Sequence, residues 1–188
     1  SNRRLLKAVE SGAVDVGISL YRPNDSGLFA TPLGLTSLHI IAHPKVPIEA
    51  LSLQQLRGVF TGTVTDWGDL GGSPVRIKVA SRERGSAARA LFDALVLGGA
   101  RTSPGALVLA GDDLMLEYVV DKAGAIGYVR HALPGAEVKL LDVVDEDGFI
   151  VPVYAFSFTE PTGRLRDWLA WVQVRGPEQL PAGFHPLP

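Results

Sequence analysis

Short β-branched runs alternate with amphipathic segments along this chain, and that alternation constrains its fold more than any other feature. Residues 13–19 (AVDVGIS), 35–42 (LTSLHIIA), 75–80, 124–129 (GAIGYV), 138–143 and 151–158 read as strands. Helical segments lie between them. Residues 3–10 place Leu5, Leu6 and Val9 at helical spacing, and Ser52 can cap a helix carrying Leu53, Leu56 and Val59 on one face. An alanine- and leucine-rich helix is expected over 87–97, one opened by Asp112 and Asp113 reaches about Val120, and a closing helix spans 165–174 with Trp168 and Trp171 on its core face. Strand followed by helix, repeated, predicts an α/β architecture with mostly parallel sheet order. Residues 21–27 are rich in turn formers, 62–72 read as an ordered glycine-rich loop, and the tail 176–188, with four prolines, reads as irregular. With 188 residues, 46% of them hydrophobic, the chain can bury one sizeable core or two small lobes.

Composition removes several classes of function. Eighteen Lys and Arg against twenty Asp and Glu leave a formal charge of −2, so there is no overall cationic field for nucleic acid or for an anionic membrane, and any basic site must be local. The absence of cysteine excludes disulfides, Cys-ligated zinc, iron–sulfur clusters and thiol catalysis. The longest apolar runs, 106–110 and 151–158, fall short of the roughly 20 residues of a membrane-spanning helix. His39 and His43 lie on a strand, where four residues span about 13 Å, too far to share a metal. Asp142, Asp145, Glu146 and Asp147 around Gly148 lack the alternation of a calcium loop and read as a solvated turn. Neither a nucleophile elbow nor a Walker phrase is found, so no catalytic residue, metal or cofactor is expected. The chain opens Ser1-Asn2 without a Met or an apolar leader, and reads as a trimmed or processed chain.

One segment concentrates charge. Between residues 76 and 101, six cations (Arg76, Lys78, Arg82, Arg84, Arg89 and Arg101) face two anions (Glu83 and Asp93), a local charge of +4. At its centre Gly85-Ser86 opens a helix, whose first N–H groups lack intrahelical acceptors and whose dipole favours an anion. Ser86 can donate its hydroxyl, Ala87 and Ala88 their N–H groups, and Arg82 a planar fork to an oxyanion. The same pattern also fits a simple helix cap with solvated arginines, because strand, Gly-Ser, helix recurs in unrelated α/β proteins.

Read together, the segments resemble the phosphate-binding proteins of ABC transporters. A helix precedes a phrase of the form FxGxxxxWxxLGG (Phe60, Gly62, Trp67, Leu70, Gly71, Gly72). Arg82, Gly85-Ser86, the strand Gly124–Tyr128 and the closing Gly183-Phe184-His185-Pro186-Leu187 follow in the family's order. The resemblance implies a type II periplasmic-binding-protein fold: two α/β lobes joined by two crossing segments near 36–44 and 149–157. On that template 45–148 form the second lobe, and 1–44 with 149–188 form the first, truncated at its N-terminal strand. It implies binding without catalysis: capture of a tetrahedral oxyanion, phosphate before sulfate, by Arg82, Arg84, Gly85, Ser86, Ala87 and Ala88, with Ser19 from the first lobe. An ABC permease partner and a periplasmic or cell-surface location come with it. An open strand edge would permit a homodimer. Three departures stand against the pattern. The family's Gly-Ser-Gly-Thr reads Gly85-Ser86-Ala87-Ala88, so the threonine hydroxyl is absent. The usual acid before that glycine is Arg84, and the turn after the first strand, Ser19-Leu20-Tyr21-Arg22, has no carboxylate. A site lacking an acceptor for a protonated oxygen is expected to discriminate poorly against sulfate. These departures also keep open a sensing or structural domain of a larger protein, with the fold retained and anion binding weak or absent.

Overall fold

The computed structural model describes residues 2–20, 27–130, 137–144, 149–179 and 184–187. In chain order the elements are α1 (Asn2–Glu10), β1 (Gly17–Ser19), β2 (Phe29–Ala42), β3 (Ala50–Ser52), α2 (Leu53–Thr61), a 3-10 turn (Trp67–Leu70), β4 (Lys78–Arg82), α3 (Ala87–Phe92), a π-helical continuation (Asp93–Leu97), β5 (Leu107–Leu109), α4 (Asp112–Asp121), β6 (Ala125–Val129), β7 (Lys139–Val144), β8 (Phe149–Ser157), α5 (Gly163–Gln179) and β9 (Phe184–His185). They divide into two compact units, Ser1–Thr36 with Ile150–Pro188, and Ser37–Phe149. The chain is therefore α/β, as its alternation predicts.

The larger unit, residues 37–149, holds the charged segment. Its β4 pairs in parallel with β6 and with β5, and β3 pairs in parallel with β7. The end of β2 runs antiparallel to both β6 (His39↔Val129) and β7 (Ile40↔Leu141). Parallel order therefore holds for the strands linked by α3 and α4 and fails for β2. The crossover rule governs strands joined by a helix across one sheet, whereas β2 enters this unit from residues that belong to the other. Ile41, Ala80, Met115, Leu116, Val119, Ala125 and Val129 form one core cluster. Beside α2 and α3, the Phe92 ring stacks on Tyr128 at 4.1 Å, and Phe60 lies 4.4 Å from Phe92. Ser52 closes a capping box with Gln55, accepting from the Gln55 N–H while the Gln55 side chain accepts from the Ser52 N–H.

The loop 62–72 is ordered because Trp67 anchors it. The indole is 1% exposed and its Nε1 donates to the carbonyl of Gly124 at 3.0 Å. Gly124 has φ +79°, and a Cβ there would stand 2.5 Å from the carbonyl oxygen of Arg76. Only glycine fits that approach without moving backbone.

In the smaller unit β1 pairs antiparallel with β8, β8 lies beside β2, and β9 pairs with β2 at Leu35 and Thr36. Its core comprises Leu33, Val153, Ala155, Leu169 and Val172. Three expectations are corrected here. Of residues 13–19 only 17–19 form the strand, because the Val14 N–H donates back to Ala8 at the end of α1 rather than across a sheet. The tail is partly regular: α5 continues through Gln179, with Pro177 inside its last turn, and Phe184–His185 pair with β2. Trp168 and Trp171 do not line the core. Leu165, Leu169 and Val172 do, at four- and three-residue spacing, which leaves the indoles 38% and 47% exposed. An i, i+3 pair marks one face of a helix without saying which face is buried. The expected turns at 21–26 and 145–148 lie outside the described residues.

Candidate anion site

Arg82 ends β4 and is 8% exposed, although arginine is almost never so buried without partners. Its Nη1 forms an ion pair with Asp112 Oδ1, and its Nη2 donates to the carbonyl of Ala110 at 3.0 Å. Its Nε is buried with no hydrogen-bond partner among the described residues. Burial, aided by the charge of Arg130, lowers the Arg82 pKa from its ordinary value. A guanidinium nonetheless stays charged. The result is a fixed cation held by two acceptors, with its Nε–H lacking an acceptor among the described residues.

A buried polar network fixes the backbone beneath it. The Arg82 N–H donates to the Tyr128 hydroxyl at 3.1 Å, and that hydroxyl bonds Ser81 Oγ at 2.9 Å. Arg89 donates through Nη1 to Ser81 Oγ (3.1 Å) and to the Arg82 carbonyl (3.3 Å), and through Nε to Asp93 at 2.6 Å. Burial raises the Tyr128 pKa above the usual tyrosine range, which keeps the hydroxyl neutral. The bonds of Tyr128 and of Arg89 Nη1 to Ser81 and Arg82 tie the carboxyl end of β4 to β6 and α3.

The turn from β4 into α3 brings Arg82, Arg84, Gly85, Ser86, Ala87 and Ala88 together. Gly85 takes φ +97°, a conformation that favours glycine. The Ser86 hydroxyl caps α3: it donates to the Glu83 carbonyl at 3.0 Å and accepts from the Arg89 N–H at 3.2 Å. Its hydrogen is therefore engaged within the turn. Arg84 and Ala87 are exposed, and Ala88 is buried. Ser19 lies apart from this set in sequence and in unit: it is buried at the end of β1, paired in register with Tyr154.

Asp112 was not legible as a site residue. Read linearly, an acid in the first turn of α4 signals only a helix start. Its Oδ2 also accepts from the Arg130 N–H at 3.4 Å, so one carboxylate links α4, β4 and the end of β6. Arg89 carries a faint linear signal, an i, i+4 partner in Asp93. Tyr128 belongs to the Gly-Ala-Ile-Gly-Tyr strand but offers no linear sign that its hydroxyl faces Arg82. No group of His, Asp or Glu residues able to hold a metal occurs among the described residues.

Chemically, the arrangement offers a buried guanidinium N–H, a carboxylate beside it, and the first-turn N–H groups of a helix. That set can hold a small oxyanion.

The family model of the PBP superfamily domain matches residues 3–161. The phosphate-binding protein PstS of Bacillus subtilis (strain 168) is 25% identical over 186 residues, covering 89% of this chain and 62% of that protein. This chain thus spans less than two thirds of the length of that relative. The crystal structure of an ABC-type phosphate transport receptor from Vibrio cholerae superposes with a TM-score of 0.80 at 20% identity, over 93% of this chain and 80% of that one. The regulatory domain of MetR, a LysR-family regulator of N. meningitidis, superposes with a TM-score of 0.66 at 15% identity, over 97% and 80% of the two chains.

Proposed function

The chain belongs to the PBP superfamily, and on that premise we propose that it is a solute-binding protein that captures phosphate for an ABC-type transporter. The observation that carries the reading is the buried Arg82 guanidinium, whose Nε finds no hydrogen-bond partner among the described residues, at the strand end that turns into α3, in a chain similar to a phosphate-binding protein over 89% of its length. Phosphate accepts from Arg82 and from the N–H groups of Ala87 and Ala88. Arg84 adds long-range charge from the turn. The role is binding alone, with no bond made or broken. An extracytoplasmic location and an ABC permease as partner belong to the same reading, supported by the similarity to PstS.

Asp112 changes the expected selectivity. The acid missing before Gly85 is compensated by a carboxylate brought from α4 onto Arg82. An ionised carboxylate accepts a hydrogen bond from a protonated phosphate oxygen and repels sulfate, which carries no proton at neutral pH. Phosphate is therefore favoured over sulfate.

The test is calorimetric titration of phosphate into the protein and into Arg82→Ala. Binding that is lost in the variant, while the variant keeps its cooperative melt, supports the reading. Baseline heats with the unaltered protein refute it. They would favour the second reading, a ligand-sensing domain, which the similarity to the MetR regulatory domain supports.

A further inference from the structure

Arg130 directly follows β6 and is exposed. We propose that it is a second anion-binding side chain of the Arg82 site, setting against Asp112 an attraction that grows with the charge of the ligand. The inference rests on the phosphate-binding reading above and adds to it a residue that decides which charge state of the anion is held.

Sheet topology brings Arg130 to the site. β4 and β6 pair in parallel, with Lys78 opposite Ala125 and Val79 opposite Ile126. Continued along both strands, that register sets Arg82 level with Val129, so Arg130 stands one position beyond Arg82 at the same carboxyl edge. Ligands of parallel α/β sheets bind at that edge. The backbone of Arg130 is fixed from two sides. Its N–H donates to Asp112 Oδ2 at 3.4 Å, on the carboxylate whose other oxygen holds Arg82. Its carbonyl accepts from Ser37 Oγ, also at 3.4 Å. The guanidinium, by contrast, enters none of the ion pairs formed among the described residues. Its charge still reaches the site: burial lowers the Arg82 pKa, and the charge of Arg130 adds to that lowering. A cation on a fixed root, unpaired among the described residues and acting on Arg82, is placed to meet an anion that Arg82 holds.

The other charged groups about Arg82 are Glu83 on the turn and Asp112 on α4, while Tyr128 is kept neutral by burial. Both acids repel an anion, and Arg130 offsets part of that repulsion. Coulomb energy is proportional to the ligand's charge, so Arg130 contributes twice as much free energy to a dianion as to a monoanion in the same place. A side chain that only supported the fold would act on both alike.

That difference is the test. Phosphate is titrated calorimetrically into the unaltered protein, Arg130→Gln and Arg130→Lys at about pH 6 and about pH 8, where it carries mainly one and mainly two negative charges. Sulfate, a dianion at both, controls for titration of the protein itself. For an exposed cation, Arg130→Gln should weaken phosphate binding on the order of fivefold at the lower pH and roughly 25-fold at the higher. Sulfate should lose the same factor at both, and Arg130→Lys should restore most of the affinity. Substituting an exposed side chain leaves the melting temperature unchanged, so a loss of affinity is not a loss of folding. Unchanged affinity in Arg130→Gln, an equal phosphate loss at both pH values, or no recovery in Arg130→Lys would each overturn the proposal and leave the phosphate-binding reading standing. Baseline heats for both anions with the unaltered protein would overturn the two together.

Discussion

Asp112→Asn is the perturbation that most directly probes the anion site. The substitution keeps the shape of the side chain and a carbonyl oxygen for Arg82, but removes the negative charge that the guanidinium now faces. Two anions held on one guanidinium lie about 6 Å apart, and at an effective dielectric constant of about 20 each additional pair of unit charges costs about 2–3 kcal/mol. Sulfate carries one more negative charge than monobasic phosphate and cannot return a hydrogen bond. Removing the Asp112 charge should therefore narrow the preference for phosphate over sulfate by roughly 30-fold or more, mainly through tighter sulfate binding. The assay is paired calorimetric titration of both anions at fixed ionic strength near pH 6, where phosphate is largely monobasic. The variant should remain folded, because Asn still accepts from Arg82; the loss of charge assistance costs about 1–3 kcal/mol, a fall of several degrees in Tm for a chain of this size. A phosphate-to-sulfate ratio unchanged within twofold, in a folded variant, would refute the idea that this carboxylate bears on the bound anion.

Other substitutions test the supporting structure. Tyr128→Phe removes the hydroxyl that accepts from the Arg82 N–H and bonds Ser81; it should cost about 1–3 kcal/mol in urea unfolding and weaken phosphate binding, because the end of β4 loses its tether. Burial raises the Tyr128 pKa above its ordinary value of 10.0, so the folded protein holds this proton more tightly than the unfolded chain. The resulting stability is complete below pH 10 and declines as pH rises through the raised pKa; the alkaline loss should be smaller in Tyr128→Phe, as read from melts across that range. Gly124→Ala must place a Cβ 2.5 Å from the Arg76 carbonyl oxygen in a left-handed conformation, at a cost of about 2 kcal/mol or more. Near-ultraviolet circular dichroism should register the disturbance at Trp67, whose indole donates to the Gly124 carbonyl.

Much of the fold was legible because it depends on local patterns. Ser52 with Gln55 three residues on marks a helix start wherever the chain goes, and the capping box forms. The Gly-Ser turn into α3 needs a glycine at φ +97° and a hydroxyl to cap the helix, and both are visible in six letters of sequence. What failed had a common cause. The orientation of α5 depends on which face meets β2 and β8, and two tryptophans at helical spacing carry no information about that choice. The extent of β1 depends on whether the N–H of Val14 finds α1 or a neighbouring strand. The parallel order predicted from alternation broke where β2 entered from the other unit.

The amino-acid sequence by itself determined the alternation of strand and helix, the glycine positions, the concentration of cations around Arg82 and the family phrase from Phe60 to Gly72. These are statements about neighbours along the chain, within the range of backbone sterics, periodicity and capping. Only the tertiary structure decided what faces Arg82. Asp112 lies thirty positions away in sequence and Tyr128 forty-six. They reach the end of β4 because β4 pairs in parallel with β6, and because α4, which carries Asp112, packs against both strands. A carboxylate's effect on a neighbouring charge falls off over a few ångströms, so the surroundings of Arg82 rest on that packing rather than on the motif that announces it.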